Sequence, residues 1–175
     1  MELRVPMTWV LGTAALALMV VGLAGFLPGQ DAAAQEQCFD FATGGGSFPS
    51  FAGTGKANFG FNAGYRNGPS SPLKGEVNVV DHGAGTTVKA LTVENYSGSG
   101  NDCVSNGTAC DRSWNGTAHV TTPTFDGNCF YFVEVVDEGS PGRNDRFHIA
   151  TCGYNGFTNQ LPAGNIEVHK ASCRP

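Results

Sequence analysis

Charge is scarce in this sequence. Only 14% of its 175 residues are Asp, Glu, Lys or Arg, with ten basic side chains against fifteen acidic ones. A chain so short of cations, and without a basic cluster, has no electrostatic footprint for nucleic acid. Sustained helical periodicity is missing beyond the first thirty residues, which excludes a helical bundle. There is no C-x2-C pair, so a zinc module is not expected, and no Gly-x-Ser-x-Gly elbow, so an α/β-hydrolase site is not expected. Glycine and proline are plentiful, 25 and nine, but without the three-residue period of collagen. An apolar content of 41% at net charge -5 excludes wholesale disorder, and the length fits one domain.

What is present begins with an address. Met7 to Leu27 carries no charge, follows Arg4 and ends at Pro28-Gly29. Such a run is an export signal or a membrane anchor. Ala32 and Ala34 supply the small-x-small pattern of a signal peptidase site, so residues 1–34 read as a signal peptide cleaved before Gln35, with an uncleaved N-terminal anchor as the alternative. Membrane contact is expected only through this segment, if it is retained. Residues 35–175 then form a single exported domain, secreted or held at the cell envelope. Its six cysteines, Cys38, Cys103, Cys110, Cys129, Cys152 and Cys173, read as three disulfides in an oxidising compartment.

Short runs rich in Val, Thr, Phe and Tyr between Gly, Pro, Asn and Asp clusters predict an all-β domain. Strands are expected at Cys38–Ala42, Lys56–Tyr65, Gly75–Val80, Thr86–Asn95, Ser113–Thr121, Cys129–Val136, Asp145–Cys152 and Asn165–Lys170. About eight strands with short connections suggest an antiparallel meander forming a disulfide-stapled barrel or sandwich. Centring the loop between Cys129–Val136 and Asp145–Cys152 on Ser140-Pro141 places Phe132 opposite Ile149, Glu134 opposite Phe147 and Cys129 opposite Cys152, which predicts a cross-hairpin disulfide. Cys103–Cys110 would close a local loop and Cys38–Cys173 would tie the ends. Val77-Asn78-Val79-Val80-Asp81-His82-Gly83 echoes Val133-Glu134-Val135-Val136-Asp137-Glu138-Gly139, each a strand ending in Asp-x-Gly; a duplicated half-barrel or two independent turns would both explain it.

Three sets of residues are candidates for function. Asp137, Glu138, Asn144 and Asp145 offer hard oxygen ligands at one hairpin tip, suited to calcium, but lack the ordered ligand spacing of an EF-hand; a solvated turn in which Asp caps its own backbone is the favoured reading. Apart from calcium no cofactor is expected. His82, His119, His148 and His169 sit on or beside four different strands, and nothing in their spacing makes them converge. An aromatic platform for sugars would draw on Tyr65, Tyr96, Trp114, Tyr131, Tyr154 or Phe157, with Trp114 and Tyr65 as its main ligand contacts, against the plainer reading of Trp114 as core. Asn95, Asn106 and Asn115 begin N-glycosylation acceptors, relevant only in a eukaryotic source.

The segments Gly53-Thr54-Gly55-Lys56-Ala57-Asn58-Phe59-Gly60-Phe61, Val80-Asp81-His82-Gly83, Val136-Asp137-Glu138-Gly139-Ser140-Pro141-Gly142-Arg143-Asn144-Asp145-Arg146-Phe147 and Gly164-Asn165-Ile166-Glu167-Val168-His169-Lys170 resemble the post-COAP domain family of bacterial exported proteins. The resemblance runs over nearly all of residues 35–175. It implies an accessory domain of extracellular or envelope proteins, with no activity to place on named residues. The chain departs from the pattern in its extra cysteines and in standing alone behind a signal.

The expected function is therefore a non-catalytic binding or accessory β domain whose partner is a glycan or envelope component. The alternatives are a secreted polymer-degrading hydrolase or lyase, and a structural surface-assembly protein. Catalysis requires at least two of Asp81, His82, Glu134, Asp137, Asp145 and His169 to converge in a pocket; binding requires an exposed aromatic row or a groove free of clustered titratable groups.

Overall fold

Residues that alternate between inward, buried and outward, exposed side chains build most elements of the domain. The computed structural model describes residues 39–68, 70–99 and 109–170. Residues 1–34, expected as an export signal, together with Cys38, Cys103, Cys173 and the Asn106 acceptor, lie outside the described residues. Ten strands follow one another: β1 (Asp40–Pro49), β2 (Lys56–Tyr65), β3 (Lys74–Asp81), β4 (Thr86–Ala90), β5 (Glu94–Ser99), β6 (Cys110–Thr122), β7 (Phe125–Asp137), β8 (Arg146–Thr151), β9 (Tyr154–Thr158) and β10 (Ala163–Lys170). They form one antiparallel sheet in the order β10-β1-β2-β3-β4-β6-β7-β8-β9, curled into a half-barrel, with β5 also on β6. Apart from β10, which returns to the far side of β1, the sheet is a meander.

Several expected strands change their bounds. β4 and β5 lie end to end on the edge of β6 away from β7, so the single expected strand Thr86–Asn95 is split. Its interruption is built by Thr92: the amides of Leu91 and Thr92 both donate to the Thr117 carbonyl, and the Thr92 hydroxyl accepts from the Thr117 amide at 2.9 Å. Gly116 makes this possible, because a Cβ there would lie 2.3 Å from the Thr92 carbonyl oxygen. β1 runs on through Gly44-Gly45-Gly46, where the expectation stopped at Ala42. Those glycines are space for neighbours: a Cβ on Gly44 would lie 2.6 Å from the Phe61 ring. β9, with the sequence Tyr-Asn-Gly-Phe-Thr, was not expected at all, since it has no Val or Ile to mark it.

The inward face packs as an aromatic stack with aliphatic walls. Phe59 lies on Phe147 with ring centroids 4.0 Å apart, Phe61 meets Trp114 at 5.2 Å, and Phe48 meets Phe147 at 5.6 Å. Val77, Val79, Val88, Val120, Val133, Val135, Ile149, Ile166 and Val168 complete the core, each stabilising by roughly 1.5–3 kcal/mol when removed from water.

The β7–β8 hairpin corrects the expected register by one residue. Val133 faces Ile149, Val135 faces Phe147 and Phe132 faces Ala150. The pairing expected from the loop midpoint would have put Phe147 on the same face as Glu134. Because a one-residue slip turns every side chain to the other face, the buried Val, Ile and Phe residues decide the register over the loop arithmetic. The Cys129–Cys152 disulfide nevertheless forms, just beyond the last ladder pair, with Cα atoms 6.0 Å apart. Cys110 is also disulfide-bonded.

Where the curled sheet brings β10 against the end of β7, no ladder forms and two buried carboxylates take its place. Asp137 Oδ2 accepts from the Val168 amide at 2.9 Å and Asp145 Oδ2 from the Ile166 amide at 2.7 Å. These two amides, two residues apart, belong to the edge of β10 that β1 leaves open. The other oxygens hold the β7–β8 loop: Asp137 Oδ1 accepts from Gly139 N at 2.8 Å and Asp145 Oδ1 from Glu138 N at 3.0 Å. Replacing Asp137 with Ala leaves two amides without an acceptor, at about 1–3 kcal/mol for each that stays buried. Asp137→Ala should therefore lower the urea midpoint of unfolding by an amount equivalent to about 2–4 kcal/mol, whereas Asp126→Ala on the exposed β6–β7 tip leaves it unchanged; equal effects of the two would show that the seam does not hold the sheet.

Candidate functional site

The four histidines have separate local partners. His82 Nε2 accepts from Asn58 Nδ2 at 3.0 Å, and His119 Nε2 lies 2.8 Å from Asp126 Oδ1. His148 Nε2 donates to Asn155 Oδ1 at 2.8 Å, while His169 hydrogen-bonds to Thr43 and stacks on Phe41. Of the six residues from which catalysis would draw at least two, only Asp137 and Asp145 come together, and all four of their carboxylate oxygens accept backbone amides. The same holds for the calcium candidates: a cation at Asp137 and Asp145 would compete with those amides, Glu138 pairs with Arg146 at 3.1 Å, and Asn144 is exposed. No group of three His, Cys, Asp or Glu side chains arranged to hold a metal occurs among the described residues. Burial pushes the Asp145 carboxyl up, the two amides oppose this, and the nearby Asp137 and Glu138 charges add to it.

The aromatic candidates divide by depth. Trp114 is fully buried between Phe61 and Tyr96, and Tyr65 stands edge-on to Tyr96 at 6.0 Å, half-buried. Trp114 thus faces the core and offers no ring face to solvent. Tyr96 donates to Asp40, which also receives the Arg112 guanidinium through Nε at 2.7 Å and Nη2 at 3.0 Å. Arg112 is 1% exposed, and its Nη1 donates to the Ser99 and Asp111 carbonyls. This forked, fully bonded pair anchors β1 to β6 at one end of the sheet. Burial, with the Asp40 charge, pushes the Tyr96 phenol well up; burial does the same for Tyr131 and Tyr154. Among the candidates, only Phe157 remains largely exposed, at 53%.

The concave feature lies at the opposite end, where the β1–β2, β3–β4, β6–β7 and β8–β9 turns gather. They surround an open cleft of about 580 Å³. Phe51 and Phe125 stand exposed on its walls, Pro123 and Ala84 add apolar surface, and Thr86, Thr122 and Thr124 bring hydroxyls. No carboxylate, imidazole or amine lines it.

One residue ties three of these turns together. Asp81 ends β3 and is 1% exposed. Its Oδ1 accepts from the Gly83 and Ala84 amides, both at 3.0 Å, and its Oδ2 accepts from the Phe51 amide at 2.9 Å and the Tyr154 hydroxyl at 3.2 Å. The Asp-x-Gly echo in the sequence thus marks a shared device: in each copy one oxygen caps the residue's own turn and the other takes an amide of a distant segment. Asp81 braces the cleft end and Asp137 the other end. The Cys129–Cys152 disulfide ties the β8–β9 turn, where Cys152 and Gly153 line the cleft, to β7, the strand that leaves the fourth turn. Sequence reasoning treated the four turn segments as connections only. The repeat of Asp-x-Gly was the one signal that could have found them.

No family model matches the chain, and no curated protein or solved structure is significantly similar to it.

Burial alone would push the Asp81 carboxyl up, but hydrogen bonds from Ser50, the Ala84 and Phe51 amides and Tyr154 outweigh it and hold the group below its usual value. A carboxyl with a lowered folded-state pKa stabilises the fold above its unfolded pKa, and this contribution is lost as pH falls through the lowered one. Asp81→Asn should therefore differ from wild type most near pH ~7 and converge with it toward pH ~3 in urea unfolding. A gap that stays constant across that range would show that the ionised carboxylate is not what holds the turns.

Proposed function

We propose that this chain is an exported, non-catalytic binding domain that receives a compact, uncharged group of a glycan or other envelope component in the cleft between its four turns. The observation that carries this reading is the lining itself. Two exposed phenyl rings and three threonines surround a concavity of ligand size, with no side chain able to serve as acid, base or nucleophile at neutral pH. Phenyl faces suit apolar ligand faces, and hydroxyls and turn backbone suit neutral polar groups. Three of the four turns are braced by Asp81, and the disulfide ties one of them to β7, so little ordering cost falls on binding there. An oxidising, exported setting is supported by the disulfide-bonded cysteines and by the charge-free run of Met7 to Leu27. The resemblance to the post-COAP domain family points the same way, toward an accessory role.

A thermal-shift and NMR titration screen of neutral mono- and oligosaccharides tests this. The expected result is saturable binding with every ligand recovered unchanged, and a Kd weakened about tenfold or more by Phe51→Ala or Phe125→Ala, equivalent to about 1.4 kcal/mol or more. Turnover of any ligand in the screen, or binding indifferent to both substitutions, would overturn the reading.

A further inference from the structure

The outer face of β7, β8 and β9 is unlike the rest of the solvent-facing sheet. Alternation should place polar side chains there, yet Phe130 is 65% exposed, Phe157 is 53% exposed, and Phe132 lies half-buried between them. The register puts all three on one face, with Phe132 across from Ala150 and Phe157 across from His148. His148 sits between two of the rings, edge-on to Phe132 at 6.3 Å and to Phe157 at 5.7 Å, and its Nε2 is tied to Asn155. His148 therefore separates the Phe132 and Phe157 rings. From strand spacing and the two-residue step, Phe132 and Phe157 stand about 12 Å apart.

We propose that this face is a docking platform for a neutral polysaccharide chain, separate from the cleft and independent of it. The charge on the face selects that occupant. Its ionised groups are Asp126 and Glu134 against Arg146, which pairs with Glu138, so it offers no positive field to a polyanion, a nucleic acid or an acidic membrane. Beside the rings stand neutral hydrogen-bonding side chains: Asn115 across from Phe132, Thr117 across from Phe130, and Asn155 and Asn159 flanking Phe157. Flat apolar surfaces set among amides and hydroxyls match the two kinds of surface a neutral sugar presents, its C–H face and its hydroxyl rim. A recess of about 90 Å³ beside Phe157, walled by Glu134, Arg146 and Asn159, has room for a hydroxymethyl branch of the chain.

Affinity electrophoresis of the purified domain in native gels containing hydroxyethyl cellulose, galactomannan, xylan or dextran, with alginate as the anionic control, tests the platform. At least one neutral polymer should retard the domain and alginate should not. Phe130→Ala and Phe157→Ala should each reduce the retardation at least fivefold while changing Tm little, because both rings are more than half exposed. Four results would each overturn the proposal: no retardation by any neutral polymer; retardation equal in wild type and both variants; retardation lost in Phe51→Ala but not in Phe157→Ala, which assigns the polymer to the cleft; or a dimer in light scattering that Phe130→Ser abolishes, which assigns the face to a second copy of the chain.

Discussion

A sheet that curls without a closing ladder leaves a strand edge whose buried amides need acceptors, and in this domain two carboxylates supply them. Asp137 and Asp145 take the Val168 and Ile166 amides along the open edge of β10 and hold their own loop with their remaining oxygens. The arrangement satisfies the edge from within, where an exposed edge would invite pairing with another chain. The core depends on it, because Ile166 and Val168 are buried and can stay so only if their backbone is bonded.

The same device at the other end of the sheet makes the cleft. Asp81 gathers the β1–β2 turn, its own β3–β4 turn and Tyr154 of β9, three segments far apart in the chain. All three aspartates are therefore occupied structurally, and the residue type that reads in sequence as a candidate acid, base or metal ligand is absorbed into holding backbone. What faces solvent instead is phenylalanine: Phe51 and Phe125 on the cleft, Phe130 and Phe157 on the outer face. Charge is absent from the cleft lining while aspartates are buried at the seams, which is consistent with recognition of neutral ligands in the cleft.

Much of the fold was legible in the sequence. Strands β2, β3, β6, β7, β8 and β10 lie close to the expected bounds because Val, Thr and aromatic residues alternate there between turn clusters. The Cys129–Cys152 bridge followed from the hairpin even though the register was off by one, since cysteines near the end of a ladder reach each other from adjacent registers. The misses have physical causes. β9 carries two of its inward positions as Tyr154 and Gly156, and Gly156 lies against Phe48, so its strand character depends on a ring from β1. The glycines of β1 looked like a loop because the chain alone does not show that Phe59 and Phe61 need the space.

The sequence by itself determined an all-β antiparallel domain with few charges and paired cysteines, because alternation, turn chemistry and composition are local properties. Tertiary structure alone decided what each conspicuous residue does. Trp114 could be platform or core until the curl of the sheet put Phe61 and Tyr96 on either side of it. Asp81 and Asp137 could be ligands or caps until distant amides arrived at their oxygens. Whether four turns are merely connections or the walls of a cleft depends on how far the sheet curls, and that is set by long-range packing of Phe48, Phe59, Phe61 and Phe147, which no local pattern encodes.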